Sequence, residues 1–241
     1  MTEQRYLPDA DDVTEFEATA TEVDDDYVVL DGTYFYPEGG GQPADHGHLS
    51  WDGGRARVRT VRKNHGDVRH YVADVTGDLP EAGATVAGEI DAERREAHRR
   101  MHTAQHVVSR VVLDEYGAAT AGNQIHADRS RIDFEPVDFD DEDVERIERL
   151  SNEAIERDPD VRKAERPREE VEERTEAGRA LLDMIPDHVD PLRVVEVEGF
   201  DYCPCGGTHV DSLGDVGRIR ITDRTSKGED TERVAFELAS P

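Results

Sequence analysis

Lysine, cysteine and tryptophan are scarce in this 241-residue sequence, which has three lysines (Lys63, Lys163, Lys227), two cysteines and one tryptophan. Two cysteines so close together do not make a disulfide framework. Thiols of this kind point instead to a metal or catalytic role in a reducing compartment. No apolar run approaches the roughly 20 residues that span a bilayer, and no basic start followed by an apolar stretch marks a secretory signal. A cytoplasmic protein without membrane attachment is expected. Basic residues are few and nearly all arginine: 29 Lys and Arg stand against 57 Asp and Glu, a formal net charge of −28. The acids are spread along the chain and form no tail. An acidic, lysine-poor surface suits concentrated salt, where charges are screened over about 3 Å at 1 M; an ordinary acidic protein is the alternative reading. The composition, 36% charged and 35% hydrophobic, approaches that of disordered chains. Apolar residues nevertheless recur in organised segments, which predicts a folded chain of one large or two modest domains.

Residues 1–90 read as β structure. EFEATATEV, YVVLDGTYFY, ARVRTVRK, VRHYVADV and ATVAGEI are short runs rich in Val, Thr and Tyr, separated by Gly, Asp, Asn and Pro. A small antiparallel barrel or sandwich follows. From residue 91 the pattern changes. DAERREAHRRMHTAQHVVSRVVLDEYG predicts one long helix, with Asp91 as N-cap, Gly117 as stop, and Ala97, Met101, Ala104, Val108 and Val111 as its apolar stripe. RIDFEPV, VRKAERP, LRVVEVEGF, VGRIRITDRT and ERVAFELA read as strands, the last two as a hairpin through SKGED. DDEDVERIERLSNEAIERD and REEVEERTEAGRALL read as helices. The expected architecture is α+β: a β-barrel domain over 1–90, then a domain over 91–241 with helices packed on a largely antiparallel sheet.

Residues four apart on a helix share a face, so His102 and His106 project together. Cys205 and His209, in CPCGGTHV, form a second pair at the same spacing, with glycines between them that permit a tight loop. One thiolate and three imidazoles suit a tetrahedral zinc ion, one per chain. Either pair alone is unremarkable, since H-x-x-x-H on a helix is commonly surface or core histidine. Together, about a hundred residues apart, they make a site only if folding joins them. Cys203 reads as a buried small residue or a spare thiol. His98 reads as a surface histidine, with a supporting role at the site as the alternative.

His102-Thr103-Ala104-Gln105-His106 followed by Cys205-Gly206-Gly207-Thr208-His209, together with FYPEGGGQPADHGHL over Phe35–Leu49, resembles the editing domain of alanyl-tRNA synthetase and its free-standing relatives, the AlaX proteins. Order, spacing and length are similar to the medium-length type over nearly the whole chain. There is no room for the synthetase's ligase core. The resemblance implies a zinc-containing hydrolase acting in trans on tRNA(Ala) carrying serine or glycine. A monomer is the favoured state. It further implies that the Gly-rich loop, with Gly40, Gly41 and Gln42, faces the editing site, and that the segment before the RIDF strand lines the amino-acid pocket, where Gln124 and His126 are candidates. Thr103, beside a ligand, either points inward or bonds back to the preceding turn. The residues leave other classes open: a non-catalytic, zinc-stabilised tRNA-binding module, a threonyl-type editing deacylase, or a hydrolase of small esters. Against the last, neither motif contains the acid of H-E-x-x-H enzymes.

Phosphate contacts need cations. Bases cluster at Arg55, Arg57, Arg59, Arg62, Lys63 and Arg69, at Arg94, Arg95, Arg99 and Arg100, and at Arg218, Arg220, Arg224 and Lys227. Alternation puts Arg55, Arg57 and Arg59 on one strand face. These clusters are expected to hold the acceptor end of the tRNA; salt bridging to the many acids is the competing reading. Replacing Arg55, Arg57 and Arg59 together with alanine is expected to raise the KM for aminoacyl-tRNA. An unchanged KM would remove the face from the binding surface.

Overall fold

The computed structural model describes residues 1–180, 182, 185–228 and 230–239. The chain divides into two compact units, Met1–Glu96 and Ala97–Pro241. In the first, β2 (Glu15–Val23), β3 (Tyr27–Leu30), β5 (Gly47–Trp51), β6 (Gly54–Asn64), β7 (Asp67–Thr76) and β8 (Thr85–Ile90) close a barrel in the order β2-β3-β7-β6-β5-β8. Every pairing in it is antiparallel. Two short strands, β1 (Glu3–Gln4) and β4 (Gly32–Thr33), pair in parallel apart from it. Val28, Leu30, Phe35, Leu49, Val58, Val61 and Val86 fill the barrel. Strand β5 begins at Gly47, where the Gly-rich connection read from sequence ends.

Asp45 accounts for the order of that stretch. Its carboxylate accepts from the Tyr36 amide at 2.6 Å, and its own amide donates to the Tyr36 carbonyl at 3.1 Å, closing a loop over residues 36–45. Arg95 grips the same carboxylate at 2.5 Å and donates to the carbonyls of Asp11 and Tyr34 at 2.7 and 2.6 Å. Both partners are buried, so removing one would leave an uncompensated charge at a cost of about 3–5 kcal/mol. At the tip, Gly39 and Gln42 exchange backbone bonds of 3.1 and 2.9 Å, while Gly40 and Gly41 take φ of 56° and 84°. Positive φ at both central residues is the signature of a type I′ turn, which explains paired glycines there.

Helix α1 (Ala92–Tyr116) starts as read from the sequence: Asp91 accepts from the Arg94 amide at 3.0 Å. It ends at Gly117, whose φ of 66° and bond to the Leu113 carbonyl stop the helix. The second unit follows as β9 (Ala119–Ile125), β10 (Ser130–Glu135), α2 (Asp141–Glu156), β11 (Val161–Arg166), α3 (Arg168–Arg174), β12 (Leu192–Val197), β13 (Asp201–Pro204), β14 (Arg218–Gly228) and β15 (Thr231–Ala239). Two antiparallel sheets form, β14-β15-β10-β9 and β11-β12-β13. Met101, Ala104, Val108 and Val112 of α1 pack with Ile132 and Phe134 of β10, Ile147 of α2, and Val234 and Phe236 of β15. The fold is α+β.

Several local expectations change. Residues 119–125, to which sequence alone assigns no strand, form β9, because their backbone completes the ladder to β10. The helix expected over 168–182 stops at Arg174; Thr175 is extended and Gly178 has φ of 83°. Residue 181 of that expected helix lies outside the described residues. Strand β14 runs on to Gly228, so the hairpin turn is shorter than SKGED, and residue 229 within it lies outside the described residues. His98 is fully buried, not a surface histidine. Arg95 and Arg99 are buried as well, so half of the basic cluster at the start of α1 is committed to internal ion pairs.

The barrel also buries His70. Its Nδ1 donates to the Val28 carbonyl at 3.0 Å, and its Nε2 accepts from the Thr33 hydroxyl at 2.8 Å. Burial pushes the imidazole from 6.5 down to about 4, outweighing the bond to Val28. Between those values the unfolded chain binds a proton that the folded chain does not. Stability is therefore full above about 6.5 and lost as pH falls toward 4, by about 1.4 kcal/mol per pH unit. In chemical denaturation at pH 6.5 and 4.5, His70→Gln is expected to lose about 2–3 kcal/mol less than wild type. Equal losses would place the acid sensitivity elsewhere.

Candidate metal centre

Helix α1 and the loop after β13 meet at four side chains. The ligand atoms of His102, His106, Cys205 and His209 lie within 4.8 Å of one another. Cys205 Sγ is 3.6 Å from His102 Nε2 and 3.3 Å from His209 Nε2. A tetrahedron built on Zn–N of about 2.0–2.1 Å and Zn–S of about 2.3 Å has edges of about 3.3–3.6 Å. The distances from Cys205 to His102 and His209 therefore match the edges of a zinc shell, with all four donors within 4.8 Å. The three histidines are buried and Cys205 is half-buried.

The loop is held from several directions. One nitrogen of Arg193 on β12 donates to the carbonyls of Cys205 and Gly207, each at 2.8 Å. Arg99 donates to the His209 carbonyl and to Asp211, each at 2.8 Å, and Lys163 on β11 reaches Asp211 at 2.5 Å. The Gly207 amide points at Cys205 Sγ from 3.4 Å. These contacts fix the CGGTH segment before any ion is considered.

The outer nitrogen of His209 fixes its tautomer. Thr103 Oγ1 donates to the Arg99 carbonyl at 2.8 Å, so toward His209 Nδ1, 3.1 Å away, it accepts. That leaves His209 Nε2 as a lone pair directed at the cluster. Thr103 Oγ1 also accepts from the Val210 amide at 3.3 Å. His106 Nδ1 faces Asp201 Oδ2 at 3.7 Å, and Asp201 is paired with Arg179, both buried.

Charge follows the same logic. Burial raises the Cys205 thiol, but His102 and His209 outweigh it and hold Cys205 well below the ordinary thiol value. Burial, reinforced by His102, keeps His209 well below the usual histidine range. Burial lowers His106, yet the neighbouring Asp201 and Cys205 carry it above its ordinary value. Burial pushes Cys203 up to about 12, so that thiol keeps its proton. One cysteine sulfur and three imidazoles are donor types that zinc takes, and the four residues fit the ion. Purified protein is expected to contain about one zinc per chain by elemental analysis. Cys205→Ala should lose it and Cys203→Ala should keep it; equal loss in both would break the assignment.

The remaining candidates are not among these four side chains. Gln124 is half-buried on β9, opposite Arg131 of β10, and His126 sits in the turn between those strands. At the other end of β9, Thr120 donates to Ser109 of α1 at 2.9 Å, and Ser109 accepts from Gln105 at 2.8 Å. In the first unit Gly40 is exposed at the I′ turn, Gly41 is half-buried and Gln42 is buried. Arg55, Arg57 and Arg59 share the exposed face of β6, alternating with buried Ala56 and Val58. Arg55 pairs with Glu89 at 3.1 Å, Arg57 with Asp74 at 2.7 Å and Arg62 with Glu38 at 2.8 Å. Arg59 lies over the Tyr71 ring, and Lys63 is exposed. Sequence reasoning gave Arg99 to a tRNA-holding cluster and missed Lys163, Arg179, Arg193 and Asp201. Only Asp201 left a trace: it alternates with Cys203 along β13, which puts both on the buried side.

Comparison with known proteins shows the family. Residues 7–94 match the family described as tRNA synthetases class II (A), and residues 192–235 match the threonyl and alanyl tRNA synthetase second additional domain. The alanyl-tRNA editing protein AlaX-M of Methanosarcina acetivorans is 39% identical over 244 residues, covering 99% of both chains. That of Methanosarcina barkeri is 40% identical over 243 residues, again 99% of both. The alanine–tRNA ligase of Methanopyrus kandleri is 41% identical over 216 residues, which are 88% of this chain and 23% of the ligase. With the residues of the cluster in place and whole-length likeness on both sides, the chain belongs to the AlaX family.

Proposed function

We propose that this chain hydrolyses the ester joining serine, and secondarily glycine, to tRNA for alanine, acting in trans. The observation that carries the reading is a four-donor cluster in a chain alike over its whole length to proteins named for alanyl-tRNA editing. An aminoacyl ester is reactive, so placing water beside its carbonyl supplies much of the catalysis. Zinc, when bound, supplies a positive centre that orients and polarises the substrate. The chain's own residues do the rest. Arg99, Lys163 and Arg193 hold the CGGTH loop rigid, and Thr103 keeps His209 in one tautomer.

Selectivity needs a polar device. A pocket for serine cannot exclude the smaller alanine by size; it must bond the hydroxyl and leave a buried group unpaired when alanine enters. Gln124 and His126 are the proposed candidates, and Gly40, Gly41 and Gln42 are proposed to contribute to discrimination. The exposed arginines of β6 are proposed to meet tRNA phosphates. We place the protein in the cytoplasm, as a monomer with one zinc, working in concentrated salt. Burial of His102, His106 and His209 favours one second reading, a zinc-stabilised module that binds tRNA without deacylating it.

The test is release of serine from Ser-tRNA(Ala) in high salt, beside Ala-tRNA(Ala), for wild type and Cys205→Ala. Wild type is expected to release serine and spare alanine, and Cys205→Ala to fall to the uncatalysed rate. Tight tRNA binding with no serine release by wild type would leave the non-catalytic module.

A further inference from the structure

Among the buried groups that the proposed reaction does not use is the Arg179–Asp201 pair. Arg179 lies in the turn after α3, and Asp201 opens β13, four residues before Cys205. Arg179 Nε donates to Asp201 Oδ1 at 2.6 Å, and Nη2 donates to Oδ2. The same Nη2 is 3.5 Å from the His106 carbonyl. The side chains are 4% and 1% exposed, so the carboxylate cannot turn away into water. His106 Nδ1 is buried and makes no hydrogen bond among the described residues, and what faces it is Asp201 Oδ2 at 3.7 Å.

A carboxylate oxygen has two lone pairs, so Oδ2 can accept from Arg179 and from an imidazole N–H at once. Closing the gap to a charge-assisted bond takes less than about 1 Å. We propose that Asp201, clamped by Arg179, is the positioning residue that holds a proton on His106 Nδ1 and turns Nε2 toward Cys205 and His209. The inference rests on the metal reading of the cluster. It assigns to His106 what Thr103 gives His209: an outer partner that selects the tautomer and the ring orientation. The difference is charge. Thr103 is neutral, whereas Asp201 would bring a negative charge beside the site were it not cancelled by Arg179. The pair thus orients a ligand without adding net charge to the pocket. A carboxylate alone would serve orientation but would stand as an uncompensated buried anion.

The first measurement uses unmodified, zinc-loaded protein. Long-range proton–nitrogen correlation of the imidazoles is expected to show His106 with Nδ1 protonated and Nε2 on the metal; ligation through Nδ1 would overturn the proposal. The second uses the apolar double variant Arg179→Met/Asp201→Leu, since replacing a buried pair together is commonly tolerated where removing one partner is not. Zinc affinity, read by chelator competition, is expected to weaken about 10–100-fold. The visible spectrum of the cobalt(II)-loaded variant should change while its circular dichroism does not. Unchanged affinity and spectrum would make the pair structural only. Should the double variant fail to fold, the measurement on wild type decides. Wild type that holds zinc no better than Cys205→Ala would remove the metal reading, and this inference with it.

Discussion

Nine consecutive residues of α1, Met101 to Ser109, are buried, and five of them are polar. A helix enclosed on all sides must find a partner for every polar group it carries, because an unpaired one costs about 1–3 kcal/mol. Much of the second unit's arrangement answers that demand. Gln105 donates to Ser109, and Ser109 accepts from Thr120, which ties β9 to the helix. Thr103 binds the preceding turn and His209. His102 and His106 turn toward Cys205, which requires a loop a hundred residues later in the chain to return to the same place.

Arginine carries the internal wiring of this acidic protein. Arg95, Arg99, Arg179 and Arg193 are all buried, and each bridges more than one acceptor. A planar guanidinium spans two carbonyls or both oxygens of a carboxylate, which a single ammonium does not reproduce. The scarcity of lysine in the sequence therefore has a counterpart inside the fold as well as on its surface.

The four clustered side chains were legible because their spacing repeats and their types match one chemistry. Helix α1 was legible because Asp91, the apolar stripe and Gly117 agree. The opposite face of α1 was not, since buried histidine, threonine and glutamine look the same in sequence as exposed ones, and His98 was misread for that reason. Strand β9 lacks the Val- and Ile-rich signature of a strand; its pairing with β10 decides its conformation, not its own residues. The early stop of α3 comes from positive φ at Gly178 and the extended Thr175, which override a run of good helix formers. Arg179 and Asp201 lie too far apart for any local pattern to join them.

The closed barrel has one more consequence. Exposed strand edges invite pairing between molecules, and many proteins guard them with charge. Charge is a poor guard where salt shortens its reach to a few ångströms, about 3 Å at 1 M. Six strands that close on themselves leave no edge to guard. The barrel thereby resists strand-to-strand aggregation by topology, at any ionic strength.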